Sequence, residues 1–293
     1  MNSDEVDSIQ FVSADRELWL RQISDIYHKH IQNPNNVKSV IEFGQSIKVN
    51  EIRPFHLVTL ACLIHYLDSV GKLVAISKSN LDVFNYIYYD LKLSEYWSGG
   101  QNYVKTSSPK TDKIFNLWRI VENEKDLYAK EVEAYFRRQY FKNKDLSAIS
   151  LSLVEAYYNV FDHANANGNA FSILQYDEEN AILHVAISDF GIGIAQSVRN
   201  FDKEIKNDKE AIIKAIEDNF TVRSTKRNRG MGLSNILSSA KEARIFSHYG
   251  LVRKKGNKIS GYDCGFPYPG TLIYYEIDLS SLDNEEILDE FTI

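Results

Sequence analysis

HVAISDFGIGI, residues 184–194, is the stretch that decides how this chain folds. Its first half alternates little and is rich in β-branched and apolar residues, the composition of a buried strand. The run ends on a carboxylate, Asp189, and is followed at once by Gly191 and Gly193. A carboxylate at a strand end can accept a hydrogen bond from an exocyclic amine such as that of adenine. Glycines lacking Cβ let the backbone approach a flat ligand. These residues alone are equally compatible with a plain turn. They do not make the protein-kinase Asp-Phe-Gly module, because no Gly-rich loop, strand lysine or His-Arg-Asp loop accompanies them.

Upstream, LVEAYYNVFDHA (residues 153–164) has helical spacing. Glu155, Asn159 and His163 recur at i, i+4 and i+8, so they lie within about 80° of one another on a helix. Leu153, Val154, Tyr157 and Val160 are left to pack on a sheet. An inward Asn159 is an oxygen ligand for Mg²⁺, which shares its shell with phosphates and water. Glu155, one turn earlier, can orient or deprotonate a nucleophile at a γ-phosphate. A solvated polar stripe is the plainer alternative.

Downstream, Arg229-Gly230-Met231-Gly232-Leu233 precedes a helix, where backbone N–H groups favour anions. The basic run before it, residues 221–229, reads as a lid over phosphates or as a solvated loop, and the adjoining glycines favour the lid. Gly270-Thr271 opens the last strand. Each motif is weak alone. Their order and spacing together point to a nucleoside triphosphate in this half, and no Walker loop is present.

The whole chain has 293 residues, enough for two domains, with 44% hydrophobic and 25% charged residues, as in globular proteins. Its net charge of −6, with both signs interleaved, argues against nucleic acid as a partner. Cys62 and Cys264 are too few and too distant for a disulfide framework, and Cys62 reads as a buried thiol. No secretory signal or membrane span is visible, so a cytoplasmic protein is expected. His28, His30, His56 and His65 lack metal-ligand spacing.

In the N-terminal part the patterns predict a helix over 15–32, a strand over 46–49, a Pro54-initiated helix over 55–69, a strand over 72–77 and an Asn80-capped helix over 81–91. This is a βαβ-type α/β unit. Residues 97–112 read as a loop and 115–121 as a strand. Helices are expected over 124–141, 146–164, 205–219 and 233–243. Strands are expected over 171–176, 181–188, 244–248, 251–254 and 271–279. The domains expected are 1–122 and 123–293.

These four motifs resemble those of the GHKL superfamily, the Bergerat-fold, histidine kinase/Hsp90-like ATPases, over residues 125–280. LVEAYYNVFDHA resembles the N box, DFGIGI the G1 box, RGMGL the G2 box and GTLIYYEI the final strand motif. The resemblance implies a two-layer α/β sandwich with a mostly antiparallel sheet. It implies Mg²⁺ on Asn159 and the adenine amine on Asp189, with Gly191 and Gly193 along the base. Gly230 and Gly232 would meet the phosphates, and His163, Arg229, Leu233 and Thr271 would complete the ATP site. Glu155 would be the general base. The N-terminal order of elements resembles a STAS-like regulatory domain, which would meet a protein partner. No phospho-acceptor histidine in a dimerisation helix precedes the N box, so a conventional sensor histidine kinase is not expected. The function implied is a Mg-ATP-binding regulatory protein with slow ATPase or anti-sigma-like serine/threonine kinase activity. The alternative is an ATP-switched interaction module without significant turnover. A homodimer is compatible with either.

Overall fold

The computed structural model describes residues 6–32, 38–91, 93, 109–111, 114–120, 122–161, 168–217 and 232–284. It is a mixed α/β structure with two sheets. The first is parallel, in the order β1-β2-β3, formed by Val6–Phe11, Lys38–Phe43 and Leu73–Ile76. The second is antiparallel with six strands in the order β4-β5-β6-β7-β9-β8. These are Pro109–Thr111, Ile114–Arg119, Ala170–Asp177, Ile182–Asp189, Glu242–Lys255 (β8) and Lys258–Asp278 (β9).

The helices are α1 (Arg16–Gln32), α2 (Pro54–Ser69), α3 (Leu81–Asn85), α4 (Lys125–Gln139), α5 (Ser147–Asn159), α6 (Ile194–Phe201), α7 (Asp208–Ile216) and α8 (Gly232–Ser239). Strand alternation divides the antiparallel sheet into two faces. Val185 and Ile187 on β7, and Ile273 and Tyr275 on β9, join α4 to α8 in one core. Phe171 and Ile173 on β6, Ala186 on β7, and Leu272 and Tyr274 on β9 point the other way and join α1 and α2. The expected two-layer sandwich therefore accounts for one side only. The second face is covered by the N-terminal helices, which lie between the two sheets.

That position explains the sequence of α2. It is buried nearly all round, including Leu57, Val58, Leu60, Ala61, Leu63 and Ile64, because both of its sides meet protein. Pro54 stands at its first position, where a missing N–H costs little. Trp19 of α1 donates its indole N–H to Thr59 of α2 at 3.0 Å, satisfying a polar pair inside this apolar layer.

Several expectations are corrected in detail. Residues 46–49 are not a strand. Ile47 is a single buried anchor in a loop, and the Asn80 amide holds that loop by donating to Gly44 O at 2.8 Å and Ile47 O at 3.0 Å. The strand lies earlier, at β2. The helix expected over 81–91 is split into α3 and a π-turn, Tyr86–Asp90. The strands expected at 244–248 and 251–254 are one strand, β8, whose register shifts around His248 and Gly250. β1 and α6 were not anticipated. Residues 109–111 of the loop expected over 97–112 form β4, where they pair with β5, and the rest of it lies outside the described residues. Among the described residues no helix is long and apolar enough to cross a membrane.

Candidate functional site

Asp189 is the last residue of β7, paired with Ala170 on one side and Thr271 on the other. Thr271 in turn pairs with Ser247 of β8. Asp189 continues the face of Val185 and Ile187, Thr271 that of Ile273 and Tyr275, and Ser247 that of Ala243 and Ile245. The three polar residues thus stand in a row across adjacent strands, at one end of the sheet, on the side of the α4–α8 layer.

All three are buried. The Asp189 carboxylate accepts from Gly191 N–H at 2.9 Å, and Thr271 also hydrogen-bonds to it. Burial pushes its pKa up to about 7, against which the bonds from Gly191 and Thr271 work. Among the described residues no cation contributes to this balance, and hydrogen bonds offset the charge.

The loop after Asp189 is tied to the same strand ends. Thr271 Oγ1 accepts from Ile194 N–H and Ser247 Oγ from Ala195 N–H, both at 3.1 Å, so hydroxyls from the sheet cap the start of α6. Gly193 has φ +76°, and a Cβ there would lie 2.6 Å from Ser247 Oγ and 2.7 Å from Gly270 O. Gly270 has φ +89°, and its Cβ would meet Gly191 N at 2.7 Å and Asp189 Oδ1 at 2.8 Å. Two segments nearly eighty residues apart therefore close into one knot around the carboxylate, and glycine is required on both sides.

Glu155 and Asn159 are half-buried on α5. The buried stripe of this helix, including Ile149, Leu153, Ala156 and Val160, faces the core. At about 100° per residue, Glu155 and Asn159 fall on the flank of that stripe. The opposite flank meets α4, where Ser150 bonds to Glu133 and Tyr158 to Asp126, while α5 packs elsewhere on α8. Ser152 contacts Tyr275 at 3.1 Å and Tyr157 contacts Ser172 at 3.0 Å. Those sheet residues neighbour Val185 and Ile187 respectively, so α5 runs toward the end of β7 that carries Asp189. Asn159 donates its amide to Glu155 O at 2.9 Å, which leaves its side-chain oxygen as the atom offered to a cation.

Gly232 begins α8, and Leu233 is buried in the core of the helical layer, so it contributes backbone rather than side chain to any site. His163, Arg229 and Gly230, with the lid expected over 221–229, lie outside the described residues. Among the described residues no group of three or more His, Cys, Asp or Glu could hold a metal ion. A cation held by one amide oxygen and by phosphates needs no such group.

The sequence reading missed Ser247 altogether and used Gly270 only as part of a motif. Ser247 carries no signal of its own, since a serine before a histidine in a strand is unremarkable until the register sets it beside Thr271. On the opposite face of the same sheet end lies a second buried polar group. Cys62 of α2, a free thiol, contacts Ser188 O at 3.4 Å, and Asn169 donates to Cys62 O at 3.1 Å. Ser188 bonds to the Tyr268 hydroxyl at 2.6 Å. Burial raises the Cys62 pKa far above the ordinary thiol range, so this is an unreactive structural thiol. No protein-family model matches this chain, and no curated protein matches it significantly.

Proposed function

We propose that the C-terminal half binds Mg-ATP in the manner of GHKL ATPases, and that the protein is a regulator with slow ATPase or serine/threonine kinase activity. The observation that carries this reading is Asp189: a buried carboxylate with no cationic partner among the described residues, enclosed by glycine backbone at a strand end. Burying an ionised carboxylate costs stability, and a ligand donor such as the adenine amine would offset that cost. Thr271 stands beside it to share the same ligand edge. Asn159 would take Mg²⁺ through its oxygen, and Glu155, one turn earlier, would receive the proton of the attacking hydroxyl or water. ATP supplies the transferable phosphoryl group. The backbone at the start of α8, with Gly230 and Arg229 before it, would meet the phosphates. The N-terminal half, with its parallel sheet and its βαβ order, is read as a STAS-like domain that meets a protein partner.

The alternative reading, an ATP-switched interaction module, is favoured by one observation. The buried bonds from Cys62 and Asn169 link α2 to the residues flanking Asp189, so the end of the sheet carrying the proposed site is also a contact of the N-terminal half. Replacing Glu155 with Ala separates the two. If the protein is an enzyme, phosphate release or transfer falls by two or more orders of magnitude, about the contribution of a general base, while nucleotide affinity is retained. Unchanged turnover in Glu155→Ala would rule out that role for Glu155.

A further inference from the structure

We propose that the cleft where the N-termini of α1 and α2 converge binds a small phosphomonoester through Arg16 and Arg53. The cleft, of about 630 Å³, opens beyond the C-terminal ends of β1 and β2 and is lined by the loops that follow them. Arg16 is the first residue of α1, and Arg53 immediately precedes α2. Helices of 17 and 16 residues therefore direct their partially positive ends into one concavity.

The two carboxylates in its wall are committed to the backbone. Asp15 Oδ1 accepts from Leu18 N–H at 3.0 Å, and Glu51 Oε2 accepts from Lys48 N–H at 2.8 Å. Among the described residues neither Arg16 nor Arg53 has a carboxylate at ion-pair distance. The Arg16 guanidinium lies over the rings of Phe55, at 5.1 Å, and Tyr274, at 5.8 Å. Its Nε is buried without a hydrogen-bond partner. A guanidinium fixed on aromatic rings and short of acceptors is prepared for an anion.

His56 holds the two loops in place. Its Nδ1 accepts from Arg53 N–H at 2.8 Å, and its Nε2 faces Ala14 O at 3.0 Å. Burial lowers its pKa to about 4, so at neutral pH it is an uncharged brace. Beyond Arg16, in an adjoining cleft, Arg244 shares the one carboxylate of Glu242 with Arg253 and Lys255.

Two forked guanidiniums suit the dianionic oxygens of a phosphate better than a single carboxylate. The cleft volume falls within the range of small-molecule sites, about 300–1,000 Å³. None of Asp189, Thr271 and Ser247 lines it, so the inference stands independently of the nucleotide site.

The test is calorimetric titration of the full chain with phenyl phosphate at constant ionic strength, comparing wild type, Arg16→Gln, Arg53→Gln and the remote surface substitution Lys206→Gln. The expected result is saturable binding, weakened about tenfold by either arginine substitution and unchanged by Lys206→Gln. Circular dichroism checks the fold of each variant. Should Arg16→Gln unfold, the exposed Arg53 carries the test. Absence of saturable binding, or binding indifferent to the arginine substitutions, overturns the proposal.

Discussion

At Asp189 folding and ligand binding pull in opposite directions. Its folded pKa of about 7 lies above the ordinary 3.8. Between those values the folded state holds a proton that the unfolded chain has lost. The native state is thus most favoured below about pH 4, and that advantage disappears as pH rises through 7. Asp189→Asn removes the charge while keeping an acceptor. It should raise the unfolding midpoint at pH 8 and raise it less at pH 4.5, as thermal melts at both values would reveal. A variant less stable than wild type at pH 8 would contradict this account of the carboxylate.

Gly193 offers a second residue-scale prediction. With φ +76° and ψ 151° it occupies a region almost reserved for glycine, and a Cβ would overlap Ser247 and Gly270. Gly193→Ala should cost about 2 kcal/mol or more in urea unfolding. A cost below about 0.5 kcal/mol would mean that the knot around Asp189 yields easily. The sequence offered Gly191 and Gly193 either as a plain turn or as a close approach to a flat ligand, and at Gly193 the close approach is to Ser247 and Gly270 of the chain itself. It could not reveal what approached, since Gly270 and Ser247 come from strands whose register no local pattern specifies.

At the scale of elements, α6 depends on borrowed caps. Its Ile194 and Ala195 N–H groups are satisfied by Thr271 and Ser247, which belong to different strands. Thr271→Val and Ser247→Ala should each destabilise the protein by about 1 kcal/mol. Because the two hydroxyls hold adjacent N–H groups of one helix start, the double variant should depart from additivity in a double-mutant cycle. Strict additivity would show that they act separately. This borrowing also explains why α6 was not anticipated, for the sequence before it offers glycine rather than a side-chain cap. By contrast α2 was legible from Pro54 and its apolar run, and α4 and α5 from their helical spacing, signals that are all set locally. β1 escaped notice because only Ile9 and Phe11 along it are buried, too short an alternation to separate from a polar terminus. The misplaced strand at 46–49 was an apolar loop anchored by Ile47.

Residues on both sides of the expected domain boundary, 1–122 and 123–293, share one apolar core. Phe171, Ile173, Ala186, Phe190, Leu272 and Tyr274 form a continuous apolar face that α1 and α2 cover. Expressed alone, residues 123–293 should expose that face, bind the dye ANS strongly and elute as aggregates in size-exclusion chromatography. A monomeric, ANS-silent fragment would contradict the shared core. Such packing is not readable from one sequence, because an inward-facing residue looks the same whether the covering helix is near or a hundred residues away. β4 and β5, which precede residue 122, already belong to the antiparallel sheet, so the change of topology falls between α3 and β4, and the shared core extends across it.

The most direct test of the central claim is calorimetric titration of the full chain with a non-hydrolysable ATP analogue and Mg²⁺, alongside GTP and alongside Asp189→Asn. Adenine-selective binding at micromolar concentrations, lost in Asp189→Asn while the variant remains folded, is the result the account predicts. Binding that ignores Asp189→Asn, or no binding of any nucleotide, would contradict it.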